Sequence, residues 1–111
     1  MAFSDDKKTL AELYKFICKN EGIKPIPLKF IKVGKGGAYC AYNRYSLRPS
    51  YIAIDLNRIW VGSAYALCHE VAHQICISEH KDATHRARFK KKERELVKKY
   101  AICPIARKLN F

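Results

Sequence analysis

The chain has no Cys-x-x-Cys pair. Its five cysteines, Cys18, Cys40, Cys68, Cys76 and Cys103, are an odd set at irregular spacing. That pattern argues against a disulfide framework and against a zinc ribbon built from paired thiolates. No apolar run approaches the length that spans a bilayer, and Met-Ala-Phe-Ser-Asp-Asp-Lys-Lys lacks the apolar core of a signal peptide. A reducing, cytoplasmic setting is the expectation, with no membrane partner. Internal repeats, low-complexity tracts and linkers are also missing, so the 111 residues read as one domain, 1–111. Acidic residues are scarce, 10 against 22 Lys and Arg, which leaves a formal charge of +12. Such an excess attracts polyanions and says nothing about fold. It is concentrated late in the chain. From Lys81 to Phe111 there are eleven Lys and Arg, opposed only by Asp82, Glu93 and Glu95.

What is present is the patterning of a small α+β domain. Ser4 is a candidate N-cap, Asp5 and Asp6 suit the positive end of a helix dipole, and Leu10, Leu13, Tyr14 and Ile17 recur at helical spacing. Asn20-Glu21-Gly22 supplies the stop. Pro25 and Pro27 introduce an extended segment, Leu28 to Val33, and Gly34-Lys35-Gly36-Gly37 predicts a hairpin turn. No Ser or Thr follows a Gly-Lys pair there and the run sits between strand-like segments, which favours the hairpin turn over a phosphate-binding loop. Ala38 to Tyr45 predicts a second strand. Tyr51 to Leu56 predicts a third, with Ile52, Ile54 and Leu56 facing inward. A helix from Ala64 to about Ile77 follows, with Ala64, Leu67, Cys68, Val71, Ala72 and Ile75 as its apolar face. A polar loop, Ser78 to Asp82, leads to a basic helix from about Thr84 to Tyr100, whose buried stripe is Phe89, Leu96, Val97 and Tyr100.

Within the second helix stands His69-Glu70-Val71-Ala72-His73. Residues four apart lie one above the other on a helix face, so both imidazoles reach toward one ion. Glu70 projects near the same face, where a carboxylate can take a proton from water. Neutral imidazoles suit Zn²⁺, and a catalytic zinc keeps one coordination position open. The expectation is therefore a zinc-dependent hydrolase of peptide bonds, with His69 and His73 as ligands and Glu70 as general base. The rival is a non-enzymatic, zinc-stabilised nucleic-acid-binding module, against which Glu70 argues because a structural site needs no base.

A third ligand has to come from elsewhere. Glu79 stands where an extended His-Glu-x-x-His-x-x-Gly-x-x-His motif would place its last His, but Cys76 occupies the Gly position and that version fails. Glu93 has the spacing of a glutamate from a following helix, yet it sits in Lys91-Lys92-Glu93-Arg94, where a solvated, ion-paired carboxylate is commoner. His80 falls in the polar loop. His85 opens the third helix, with Phe89 to anchor that helix to the core. His85 leads, followed by Glu93 and then His80.

From Tyr39 to Tyr100 the chain resembles the SprT-like zinc metallopeptidases, which include the Spartan-related DNA–protein crosslink proteases. The residues that carry the likeness are Tyr51 to Leu56, Leu67-Cys68-His69-Glu70-Val71-Ala72-His73 and His85-Arg86-Ala87-Arg88-Phe89-Lys90. Arg86 stands where that family often has Gly, and the family's frequent C-terminal zinc ribbon has no counterpart. The resemblance implies a zincin-like catalytic core, with His69, His73 and His85 on zinc and Glu70 catalytic. It implies protein or peptide substrates at or near DNA, aligned along the edge of the strand that precedes the metal helix. Lys90, Lys91, Lys92, Arg94, Lys98 and Lys99 would then contact phosphates without reading sequence. Tyr42, Tyr45 and Trp60 are candidates for base stacking, though core burial is the commoner use of Trp60. A regulatory peptidase that cleaves a single partner, such as a repressor, is the alternative within the same chemistry.

Overall fold

The computed structural model describes residues 3–34, 36–59 and 62–109. Its elements are α1 (Phe3–Glu21), β1 (Leu28–Lys29), β2 (Ala38–Tyr42), β3 (Pro49–Ile54), α2 (Ser63–His80) and α3 (Ala87–Tyr100), followed by a short 3-10 turn at Ala106–Lys108. This is an α+β domain of three helices and one three-stranded sheet, as the patterning predicts. Trp60, a candidate for base stacking, and Lys35, in the expected turn, lie outside the described residues.

α1 begins at Phe3, which places Ser4 inside the first turn rather than at the cap. Leu10, Leu13, Tyr14 and Ile17 are all buried, as their spacing requires. The helix ends where Gly22 takes φ +68° and the Ile23 N–H donates back to the Cys18 carbonyl at 3.0 Å. That six-to-one bond satisfies a carbonyl the helix would otherwise orphan.

The sheet order is β1-β3-β2. β1 runs parallel to β3, with Leu28 opposite Ile52, and β2 runs antiparallel to it, with Cys40 opposite Ile52. Two expectations change as a result. The Gly34–Gly37 segment does not close a hairpin, because β1 and β2 flank β3 and do not pair with each other; the hairpin is β2–β3. The strand before α2, β3, is central and has no edge to offer. The edge beside α2 belongs to β2.

Strands are shorter than their apolar runs for identifiable reasons. Beyond Lys29 the ladder stops, and the Val33 N–H turns instead to the Asp55 carboxylate at 3.2 Å. β2 stops at Tyr42 because Asn43 Oδ1 accepts the Tyr45 and Ser46 N–H groups at 2.8 and 2.9 Å, forming a side-chain-driven turn. In β3 the alternation does not hold. Ile52 and Ile54 are buried, but so is Ala53, and Asp55 just past the strand is buried as well.

α2 packs against α3, both longer strands and α1. It is buried on nearly every side from Ser63 to Ile77, including the polar residues Glu70, His73 and Gln74. It also runs one turn further than its apolar pattern, absorbing Ser78, Glu79 and His80. It stops where Lys81 adopts the left-handed conformation at φ 54°. Lys81 N–H donates to the Ile77 carbonyl at 3.0 Å, and Asp82 N–H to Cys76 at 3.2 Å. α3 starts later than expected, at Ala87, because Asp82 Oδ1 holds the Thr84 N–H at 2.9 Å and its hydroxyl at 2.6 Å in a turn. Phe89, Leu96 and Tyr100 are buried and Val97 is half-buried, the stripe the sequence predicts. The far ends of α1 and α3 are tied by Glu21, which accepts from the Tyr100 hydroxyl at 2.6 Å and from Lys99 Nζ at 3.1 Å. All five cysteines are free thiols.

Two glycines with similar backbone angles separate conformational strain from crowding. Gly37 has φ +77°, and a Cβ there would meet the Arg58 carbonyl carbon and oxygen at 2.7 Å. Gly22 has φ +68° and open space around it. Gly22→Ala should cost about 1 kcal/mol, the left-handed penalty alone. Gly37→Ala adds overpacking against backbone and should cost about 2–4 kcal/mol. Urea unfolding of the two variants tests the ordering.

Candidate metal centre

His69 and His73 stand one turn apart on α2, and the left-handed cap at Lys81 returns the chain over the end of that helix. The Asp82 turn then presents His85, which lies two residues before α3 rather than within it. The three imidazoles converge: one ring nitrogen from each of His69, His73 and His85 lies within 4.8 Å of the other two. His73 Nε2 and His85 Nε2 are 3.0 Å apart. Two ligands of a tetrahedral zinc, each bonded at about 2.0–2.1 Å, stand about 3.3 Å from each other. The arrangement is close to that without any rebuilding.

Phe89, in the first turn of α3, forms the floor of this group. Its ring stacks on His73 with centroids 4.2 Å apart, and meets His69 and His85 edge-on at 4.9 Å each. Burial pushes the His73 imidazole down to about 4, helped by the neighbouring rings of His69 and His85. At neutral pH His73 is therefore an uncharged donor of a lone pair, the form that binds metal.

Glu70 is buried, and its Oε1 has no hydrogen-bond partner among the described residues. Burial raises this carboxyl to about 7; the nearby His69 pulls it down and Glu93 pushes it up. An unpaired buried carboxylate oxygen is costly unless something else in the site engages it. Three convergent imidazoles and one such oxygen form a donor set that fits a divalent transition metal with water beside it. Cys40 shares the cleft, but burial, reinforced by the charge of Glu70, pushes its thiol up to about 12, so it stays protonated.

The cleft itself measures about 250 Å³ and is lined by His69, Glu70, His73 and His85 on one side and by β2 residues Ala38, Tyr39, Cys40 and Tyr42 on the other. A larger cleft of about 470 Å³ lies between the end of α1, the β2–β3 hairpin and the far side of α2. Its lining holds no cluster of metal-ligating groups among the described residues; the three imidazoles all line the smaller one. Gln74, next to His73 in sequence, lines the larger cleft. The Tyr14 hydroxyl donates to its Oε1 at 2.7 Å, and its Nε2 donates to the Lys24 carbonyl at 2.9 Å. That buried network fixes α2 immediately beside His73.

The other ligand candidates resolve differently. Glu79 and His80 are exposed on the last turn of α2 and stand outside the three-imidazole group. Glu93 is not the solvated, lysine-paired carboxylate that its neighbours suggest. Its side chain is only 18% exposed and contacts His69 Nδ1 at 2.5 Å. The stripe Phe89, Leu96, Tyr100 carried the signal, because Glu93 is four residues from Phe89 on the same side of α3. Gln74 and Asp82 carried none, since their partners are 50 or more residues away or depend on a loop conformation.

The six α3 residues expected to contact phosphates divide. Lys90, Lys91, Arg94 and Lys98 are exposed, and Lys90, Arg94 and Lys98 share one face at spacings of four. Lys92 pairs with Glu95 at 3.2 Å and Lys99 with Glu21 at 3.1 Å. Tyr42 is 38% and Tyr45 95% exposed, on and after β2.

No protein-family model, curated protein or solved structure matches the chain. No helix among the described residues is long and apolar enough to cross a membrane.

The buried pair gives opposite pH dependences in the metal-free protein. His73 titrates near 4 when folded against an ordinary 6.5, so acidification from about 6.5 to 4 protonates the unfolded chain first and lowers stability. Glu70 titrates near 7 when folded against an ordinary 4.5, so raising pH from about 4.5 to 7 ionises the unfolded chain first and also lowers stability. Glu70→Gln removes only the second effect. In protein stripped by a chelator, the urea midpoint of the variant minus that of wild type should grow as pH rises from 4.5 to 7. A difference independent of pH would contradict the raised Glu70 value.

Proposed function

We propose that the chain is a zinc-dependent endopeptidase of the SprT-like, zincin type, and that it acts on proteins at or near DNA. What supports this reading is one juxtaposition: three convergent imidazoles and the unpaired oxygen of Glu70 face the free edge of β2 across a single cleft. His69, His73 and His85 would hold the ion. Bound zinc would supply a Lewis acid that polarises a carbonyl and acidifies water.

The remaining steps belong to the protein's own groups. An extended peptide pairs with the outer edge of β2, whose main chain fixes its register while side chains alternate between cleft and solvent. That alignment brings a scissile carbonyl beside the imidazole group. Glu70 Oε1 takes the proton of the attacking water and returns it to the departing amine nitrogen. In the metal-free protein burial raises this carboxyl, the direction that makes it a stronger proton acceptor. Ile77, Ala83 and β2 residues Ala38 and Cys40 give the cleft an apolar part of its wall, where the charge that develops during attack is less screened by solvent.

The association with DNA is supported by the exposed Lys90, Lys91, Arg94 and Lys98, which extend a cationic face along α3 away from the core. Such a face positions a duplex or single strand through phosphates.

Glu70→Gln tests the chemistry. It should lower cleavage of an unfolded protein substrate by about 10²–10⁴-fold, the usual share of a general base, while zinc stoichiometry and fold persist. Undiminished cleavage by this variant would remove the peptidase reading. For the cationic face, replacing Lys90, Arg94 and Lys98 by Gln should flatten the dependence of log K on log salt for single-stranded DNA by about 2–3. An unchanged slope would detach α3 from nucleic acid.

A further inference from the structure

We infer that Glu93 is a positioning residue for the metal centre: its carboxylate accepts a hydrogen bond from His69 Nδ1–H and thereby presents His69 Nε2 to the ion. Glu93 has this role only if His69 is a metal ligand, as proposed above. The contact is direct, with Glu93 Oε2 at 2.5 Å from His69 Nδ1. A carboxylate only accepts, so the proton between the two sits on the imidazole nitrogen. A neutral imidazole has one N–H. With that proton on Nδ1, the lone pair is on Nε2, the tautomer that can ligate through the far side of the ring.

The same geometry decides between two roles for Glu93. The two ring nitrogens point to different sides of an imidazole. A carboxylate docked on Nδ1 therefore cannot also reach an ion held by Nε2. Consistently, Glu93 is outside the convergent group of His69, His73 and His85. It acts behind one ligand and does not compete with His85 for the third position. Its flanking lysines do not divert it, because Lys92 is engaged with Glu95.

Placement on α3 makes this a coordinated device. Phe89 and Glu93 are one helical turn apart, as are His73 and His69 on the facing helix. Phe89 stacks on His73 while Glu93 bonds His69. A single rigid helix thus sets the plane of one imidazole and the tautomer of the other. Carboxylate partners of this kind raise ligand basicity and fix ring orientation, and their loss typically costs about 10- to 100-fold in metal affinity.

The test uses zinc and cobalt as probes with the wild-type chain, Glu93→Gln and Glu93→Leu. Nitrogen-15 NMR of the metal-free wild type should show His69 as the Nδ1–H tautomer. Glu93→Leu should give a mixture of tautomers and bind zinc about 10- to 100-fold more weakly in competition with a chelator. Glu93→Gln, which keeps a neutral acceptor, should fall between. Cobalt-loaded variants should keep the wild-type visible band positions, since no ligand has been lost. Wild-type zinc affinity in Glu93→Leu, or the opposite His69 tautomer in wild type, would overturn the positioning role. Shifted cobalt bands in Glu93→Gln would overturn it in favour of direct ligation. Failure of the wild-type chain to bind zinc would instead overturn the metal-centre reading itself. Inactivity toward peptides with zinc bound would leave Glu93's role standing and reject only the peptidase reading.

Discussion

α2 lies at the centre of the molecule, enclosed by the sheet, by α1 and by α3, and it carries polar groups into that enclosure. Glu70, His73 and Gln74 are each at least nine-tenths buried. Burying a polar side chain is unfavourable unless a partner replaces the water it has lost. Most of the surrounding structure is a response to that demand. Tyr14 and the Lys24 carbonyl satisfy Gln74, His85 meets His73, and Glu93 meets His69. Glu70 Oε1 is the one member of this set on α2 without a hydrogen-bond partner among the described residues.

That demand also explains the placement of the other elements. α3 lies alongside α2 because Phe89, Leu96 and Tyr100 need cover, and the same packing delivers Phe89 and Glu93 to the imidazoles. Glu21 fastens the far end of α3 to α1, so the helix that supports the site is held at both ends. The turn built by Lys81 and Asp82 then decides where His85 falls. A left-handed residue and one Asp side chain, neither of them a ligand, assemble the third corner of the group. The central position of β3, meanwhile, leaves β2 as the edge that borders the cleft. Together these features put convergent donors, an unpaired carboxylate oxygen and a free strand edge in one place, and the proposed function draws on that combination.

Much of this was legible in the chain. Three helices were readable from apolar positions at intervals of three and four, and His69, Glu70 and His73 from their spacing on one of them. The buried stripes of α1 and α3 follow the same periodicity, because a helix has a fixed 100° step and needs no distant partner to define its faces. Strand identity was also readable, but strand order was not. Alternation states which side chains turn inward, not which neighbour a backbone pairs with. The Gly34–Gly37 segment accordingly read as a hairpin, and β3 as an edge.

By itself, then, the sequence determined the local geometry: the metal-type frame on α2, the apolar stripes, the cationic excess of α3 and the lack of any cysteine pair. Tertiary structure alone decided that β2 is the edge strand beside the imidazoles, that His85 joins His69 and His73, and that Glu93 turns inward to His69 instead of outward to its lysines. The physical reason is the range of the forces involved. Helical spacing is set by covalent geometry within one turn. The company kept by His85 and Glu93 depends on how two helices and a loop share one core, which is settled only when the whole chain has closed around α2.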